Sequence, residues 1–95
     1  MLDIKLIRDQ ADLVRQGTMA KGYDVKIVDQ AVELDKKHRE LMTSVENLRA
    51  KRNQLTKDQI EEGKQIKLEL KELEPQMEEI GKQLFEALNQ IPNPP

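Results

Sequence analysis

The chain has 95 residues, of which 36% are charged, 37% hydrophobic and 2% aromatic, and its formal net charge is −2. This length allows one small domain, and the composition is typical of long solvated helices rather than of a thick globular core. The absence of cysteine excludes a disulfide framework, no apolar run is long enough for a membrane span, and the weakly acidic balance means that any nucleic-acid binding requires a local basic patch. We therefore expect a cytoplasmic protein without a membrane segment.

Two short helices are predicted at the N-terminus. Asp3 is placed to cap a helical turn that runs to Arg8, and Asp9 is placed to cap a second helix. Gly22 follows this second helix in the position where glycine commonly ends one, and Asp24 is placed to cap the next element.

From Ile27 onwards, apolar residues recur at alternating intervals of four and three, which is the heptad spacing of a coiled coil. The pattern breaks at Gly63 and then resumes, which predicts two long helices folded into an antiparallel hairpin with its tip near residues 61–64. This tip would place His38 opposite Ala87. The predicted seam comprises Ile27, Ala31, Leu34, His38, Leu41, Val45, Leu48, Arg52, Leu55 and Gln59 on the first helix, and Ile66, Leu70, Leu73, Met77, Ile80, Leu84, Ala87 and Ile91 on the second.

Further apolar residues beside the seam predict a second packing surface at the base of the hairpin: Val28, Val32, Met42, Phe85 and Leu88. The N-terminal helices would cover this surface with Ile4, Ile7, Leu13 and Val14. The predicted fold is therefore all-α, a long antiparallel two-helix coiled-coil hairpin with short N-terminal helices packed at its base. Its single domain comprises a globular base (residues 1–42 and 80–91), a coiled-coil arm (43–79) and a proline-rich end (92–95). Pro75 is expected to kink the second helix or to begin a new one.

The sequence offers little that could catalyse a reaction. His38 is the only histidine, and a histidine on a coiled-coil seam is far more often packed than catalytic. Neighbouring carboxylates such as Glu61 and Glu62 belong to solvated helix faces, and neither metal-ligand spacing nor a phosphate-binding glycine loop is present. We therefore predict no catalytic residue, no metal site and no enzymatic activity for this chain.

The segment NLRAKRNQLTK contains four cations and lies between Glu46 and Asp58 without an acidic residue of its own. In one interpretation these cations form a solvated face that pairs with glutamates across the hairpin. In the other they bind phosphate groups, and lysines of the second helix continue the stripe. Arg52 would cover Leu73 with its aliphatic stem and hold its guanidinium at the edge of the arm. The candidate residues are Arg49, Lys51, Arg52, Asn53, Lys57, Lys64, Lys67 and Lys71.

Three segments in order, MLDIKLIR, LRAKRNQLTK and IPN, together resemble the N-terminal tRNA-binding arm of seryl-tRNA synthetase. The resemblance covers essentially the whole chain and implies a coiled coil that lies against the long variable arm of serine tRNA. It implies RNA-backbone contacts, by shape and phosphate position, for Arg49, Lys51, Arg52, Asn53 and Lys57. It also implies that ATP and magnesium would serve a class II catalytic body whose motifs this sequence lacks, so no cofactor is expected on this chain.

The closing IPNPP allows two interpretations. The favoured one is a hinge at which the domain was separated from a longer synthetase. The other is a free-standing arm that acts as a protein-interaction or self-association module, and it predicts a homodimer formed by opening at Gly63 and exchanging helices. A hairpin shorter than the family's usual arm, together with Pro75, favours this second interpretation.

Overall fold

The computed structural model describes residues 3–92, and over this range it consists of four helices without a strand. Helix α1 spans Ile4–Asp9, α2 spans Ala11–Ala20, α3 spans Lys26–Gln54 and α4 spans Ile60–Gln90. Helices α3 and α4 pack against each other as a hairpin, and the molecule measures 60 × 20 × 16 Å. The predicted all-α hairpin is therefore confirmed. Most of the predicted proline-rich end, residues 93–95, lies outside the described residues.

The ends of the short helices follow local hydrogen-bonding chemistry. The Asp3 carboxylate accepts a hydrogen bond from the Lys5 N–H at 3.0 Å, as a helix cap does. Gly22 has a φ of 83°, a left-handed conformation that glycine adopts without strain, and it lies just beyond the end of α2. The expected cap at Asp9 is wrong, because Asp9 is the last residue of α1 and Gln10 precedes α2 without a side-chain capping bond.

Two apolar clusters hold the hairpin together, and they contain most of the predicted seam. The distal cluster is built on Val45, Ile66 and Leu70, with Leu48, Leu55, Leu73 and Met77 packed against it. The basal cluster is built on Ile7, Val14, Val28, Ala31, Leu84, Ala87, Leu88 and Ile91. The basal cluster joins α1 and α2 to the hairpin, as the sequence predicts. Three residues expected on that surface, Leu13, Met42 and Phe85, are instead exposed.

The turn between the long helices lies at residues 55–59, so the predicted tip near residues 61–64 is wrong. The Thr56 N–H donates to the Gln59 side-chain oxygen at 2.9 Å, which closes this turn. Since α4 begins at Ile60, Gly63 lies within the helix. The heptad spacing continues on paper through Leu55 and Gln59, but the chain has already reversed direction there.

The register of the hairpin differs from the predicted one as a consequence. A Cβ placed on Gly81 would lie 3.0 Å from His38 Nε2, so His38 faces Gly81 rather than Ala87. A Cβ placed on Gly63 would lie 3.6 Å from Leu55 Cδ1, and these two residues therefore face each other beside the turn. The same apolar residues pack along the seam, but each lies opposite a different residue of the other helix than the sequence predicted.

Helix α4 passes through Pro75 without interruption. Proline cannot donate a backbone hydrogen bond to the Lys71 carbonyl, which is why the sequence indicated a break. Pro75 is exposed on the outward side of the helix, where its ring does not interfere with the seam. The expectation that Pro75 begins a new helix is therefore wrong.

An ion cluster fastens α1 to the hairpin. The Asp35 side chain is 2% exposed, and Arg8 donates two hydrogen bonds to its carboxylate, from Nε at 3.0 Å and from Nη2 at 2.9 Å. Arg39 Nε lies 3.1 Å from the same carboxylate. The hydrogen bonds that Arg8 donates to Asp35 raise the pKa of the Arg8 guanidinium, while desolvation opposes the shift. Such a two-pronged contact fixes both the distance and the orientation of α1.

Candidate nucleic-acid interface

The hairpin has two long faces, one on either side of its seam, and α1 packs against one of them. Arg8 of α1 contacts Asp35 of α3, and residues seven apart project from the same side of a coiled-coil helix. Steps of seven from Asp35 lead through Met42 to Arg49. We call the side of the hairpin that carries this row the α1 face.

Helix α4 contributes two rows to the α1 face. Phe85 and Leu88 line the same groove as Arg8. Steps of seven back from Leu88 lead through Gly81 and Glu74 to Lys67. Steps of seven back from Phe85 lead through Glu78 to Lys71 and Lys64. The α3 row that contains Arg49 and the α4 row that contains Glu74 meet across the seam, because Arg49 Nη2 lies 3.7 Å from Glu74 Oε1.

The opposite face is marked by a shallow cleft whose lining includes Lys37 and Ser44 of α3 and Gln76 of α4. One further step of seven from Ser44 leads to Lys51. Lys51 therefore projects away from the α1 face, although it lies only two residues from Arg49 in the sequence.

The structure thus separates the cations that the sequence placed in one stripe. Steps of seven back from Asn53 lead through Glu46 to Arg39, which contacts Asp35, so Asn53 also belongs to the α1 face. The α1 face therefore brings together Arg49, Asn53, Lys64, Lys67 and Lys71. Lys51 lies on the opposite face and Lys57 in the turn. Arg52, expected on the seam, is exposed in the last turn of α3, because the chain reverses one turn beyond it.

Few of these cations have a carboxylate partner. The Arg49–Glu74 pair is solvent-exposed, and Lys64 Nζ lies 4.0 Å from Glu61 Oε1. Within residues 3–92, no carboxylate lies within ion-pairing distance of the other candidate cations, Lys51, Arg52, Lys57, Lys67 and Lys71. Among the candidate cations of the described residues, only Arg49 therefore pairs with a glutamate across the hairpin. An exposed pair of this kind contributes at most about 1 kcal/mol to the free energy of unfolding.

The charges beside the turn also complement the helix dipoles. Lys51 and Arg52 lie in the last turn of α3, where the helix end carries partial negative charge, and Glu61 and Glu62 lie in the first turn of α4, where it carries partial positive charge. This arrangement stabilises both helix ends. It is also the sequence signal that could have located the turn.

Among the described residues, histidine and acidic side chains are not grouped as metal ligands would be. His38 is half-buried against Gly81. Between residues 3 and 92, no group of three or more histidine, cysteine, aspartate or glutamate side chains is arranged to hold a metal ion. In the same range, none of the helices combines the length and the apolar character that crossing a membrane requires.

Comparison with known proteins places the whole chain in one sequence family. Residues 1–95 match the family described as the seryl-tRNA synthetase N-terminal domain. The serine–tRNA ligase of Staphylococcus haemolyticus is 34% identical over 98% of this chain and 25% of its own length. The ligase of Herpetosiphon aurantiacus is 41% identical over 100% of this chain and 25% of its own length, and that of Pseudothermotoga lettingae is 33% identical over 100% and 26%. The chain spans about a quarter of the length of these relatives.

Proposed function

Because the chain belongs to the family of seryl-tRNA synthetase N-terminal domains, we propose that it binds tRNA through phosphate and shape contacts and catalyses no reaction itself. The RNA would be serine tRNA, held along its long variable arm. Joining serine to that tRNA, with ATP and magnesium, would belong to the parts of a serine–tRNA ligase that this chain does not match.

The exposed cations of residues 49–74, which we call the distal hairpin, are the observation that supports this proposal most directly. Arg49, Lys67 and Lys71 project from two rigid helices that bury their apolar residues against each other. Lysine and arginine side chains that neutralise phosphates supply most of the affinity in binding of this kind, independently of base sequence. The chain's two aromatic residues, Tyr23 and Phe85, both lie outside the distal hairpin. This pattern supports contacts to the backbone rather than stacking on unpaired bases.

A titration of the chain against two tRNAs tests the proposal. One is serine tRNA with its long variable arm, and the other is a tRNA with a short variable arm. We expect tighter binding of serine tRNA, and a log–log dependence of affinity on salt with a slope of roughly −0.7 to −0.9 for each phosphate contact. Equal affinity for the two tRNAs would contradict the role of the long variable arm, and absence of binding at low salt would contradict the proposal as a whole.

A further inference from the structure

Charge divides the distal hairpin lengthwise. Between the turn and the Arg49–Glu74 pair, the α1 face carries Lys64, Lys67 and Lys71 in addition to Arg49. The opposite face over the same length carries a single cation, Lys51. Its α4 rows contain carboxylates instead, namely Glu62 and Glu69 in the row of Gln76, and Glu72 in the adjoining row.

We propose that RNA lies on the α1 face alone, where Arg49, Lys64, Lys67 and Lys71 hold backbone phosphates, and that Lys51 makes no RNA contact. This inference rests on the proposed tRNA binding and identifies the side of the hairpin that performs it. It also divides the basic segment of α3, because Arg49 and Lys51 then have different roles.

Screening makes the two faces electrostatically independent. The molecule is 20 × 16 Å in cross-section, whereas the Debye length at physiological ionic strength is about 8 Å. A phosphate on the α1 face therefore gains little from Lys51 on the other side. A phosphate on the opposite face would meet the carboxylates of Glu62, Glu69 and Glu72, which repel it.

The cations of α4 are spaced to follow a backbone rather than to grip one group. Lys64 and Lys71 are separated along the helix axis by about 10 Å, since each residue adds about 1.5 Å. Lys67 lies between them on the same side. Across the seam, Arg49 is held by the exposed Glu74 carboxylate at 3.7 Å, a contact weak enough for a phosphate to replace.

The test compares two lysines that differ chiefly in the face they occupy. Lys71→Gln and Lys51→Gln each remove one charge from an exposed side chain of the distal hairpin and keep much of its aliphatic stem. With serine tRNA, we expect Lys71→Gln to weaken binding by about 3- to 10-fold and to reduce the salt slope by about 0.7 to 0.9. Lys51→Gln should change the affinity by less than about twofold, since a charge that meets no phosphate releases no counterion. Circular dichroism of both variants verifies that the helices are intact.

The possible results separate the face assignment from tRNA binding itself. Comparable weakening by both substitutions would overturn the assignment to one face while leaving tRNA binding in place. A larger effect of Lys51→Gln, or no effect of either substitution, would overturn it as well. Failure of the unsubstituted chain to bind serine tRNA would instead overturn the proposed function, and the face assignment with it.

Discussion

Asp35 is important for the tertiary structure, although nothing in its sequence position indicates this. Among residues 3–92 it is the one charged side chain that is buried, and its carboxylate holds Arg8 and Arg39 at once. It occupies the row of Val28 and Met42, where an apolar residue would be the ordinary choice. A buried carboxylate without its cations would be costly, so α1 must be docked for Asp35 to be tolerated.

Asp35→Asn should lower the free energy of unfolding by about 1–3 kcal/mol, because Arg8 loses a charged acceptor while remaining partly hydrated. Urea denaturation measures the change. Asp29→Asn is the matched control: Asp29 also pairs with an arginine, but on the exposed surface, and its loss should be nearly neutral. A nearly neutral result for Asp35→Asn would contradict the fastening role.

The raised pKa of Arg8 also determines how the stabilisation by the Arg8–Asp35 contact depends on pH. A cation whose pKa is raised in the folded state gives its full contribution below its ordinary pKa and loses it only as the pH rises through the raised value. For arginine this loss lies in strongly alkaline solution. The contribution of Arg8 should therefore be constant from about pH 6 to pH 9.

His38 and Gly81 provide a residue-level test of the observed register. Alanine at Gly81 improves helix propensity by about 0.5–1 kcal/mol, but its Cβ would meet His38 Nε2 at 3.0 Å. Gly81→Ala should therefore stabilise the protein more in a His38→Ala background, with a coupling free energy of about 1 kcal/mol. Thermal unfolding of the four proteins in the cycle measures this coupling. Strict additivity would indicate that the two side chains do not face each other.

At the scale of elements, heptad spacing is sufficient to predict the hairpin but not the place where it turns. The spacing identified Val45, Ile66 and Leu70 correctly, because burial follows directly from apolar periodicity. It failed at residues 55–59, since a periodic pattern has no marker for chain reversal and Gly63 looked like one. The charges do mark the turn: cations favour the C-terminal end of a helix and anions the N-terminal end, and the sequence changes from Lys51 and Arg52 to Glu61 and Glu62 across residues 55–59.

Gly63→Ala distinguishes the observed turn from the predicted one. Gly63 lies inside α4, and a Cβ there would make an ordinary contact with Leu55 at 3.6 Å. We therefore expect stabilisation by about 0.5–1 kcal/mol, which denaturant titration measures. Gly22→Ala is the opposing control, because its φ of 83° is unfavourable for alanine; it should be destabilising by about 1 kcal/mol. Destabilisation by Gly63→Ala would indicate that this glycine belongs to the turn.

The sequence singles out the cations of the candidate interface but does not reveal how they are arranged. A run of cations without intervening acids was enough to single out Arg49 and Lys51. Assigning them to different faces requires knowing where α1 docks, and that depends on the Arg8–Asp35 contact between residues far apart in the sequence. Pairing Arg49 with Glu74 likewise requires the true register.

The whole molecule is elongated, and its dimensions give a further prediction. The radius of gyration of the Cα atoms is 17.8 Å, whereas a compact domain of this length would have about 12 Å. Small-angle scattering should give a value near the larger number and independent of concentration, because α3 and α4 already bury their seams within one chain. A radius that grows with concentration would favour the helix-exchanged homodimer.

Helix α4 extends without a break from the turn to the basal cluster, so a small tilt at its base moves its far end by a large distance. Its 31 residues rise about 46 Å, and a tilt of only about 5° about its basal end would therefore displace the opposite end of α4, beside the turn, by about 4 Å. That displacement exceeds the length of a hydrogen bond. In the proposed complex, the precision with which the tip meets a phosphate would consequently be decided at the opposite end of the helix, by the packing of Leu84 and Leu88 in the basal cluster.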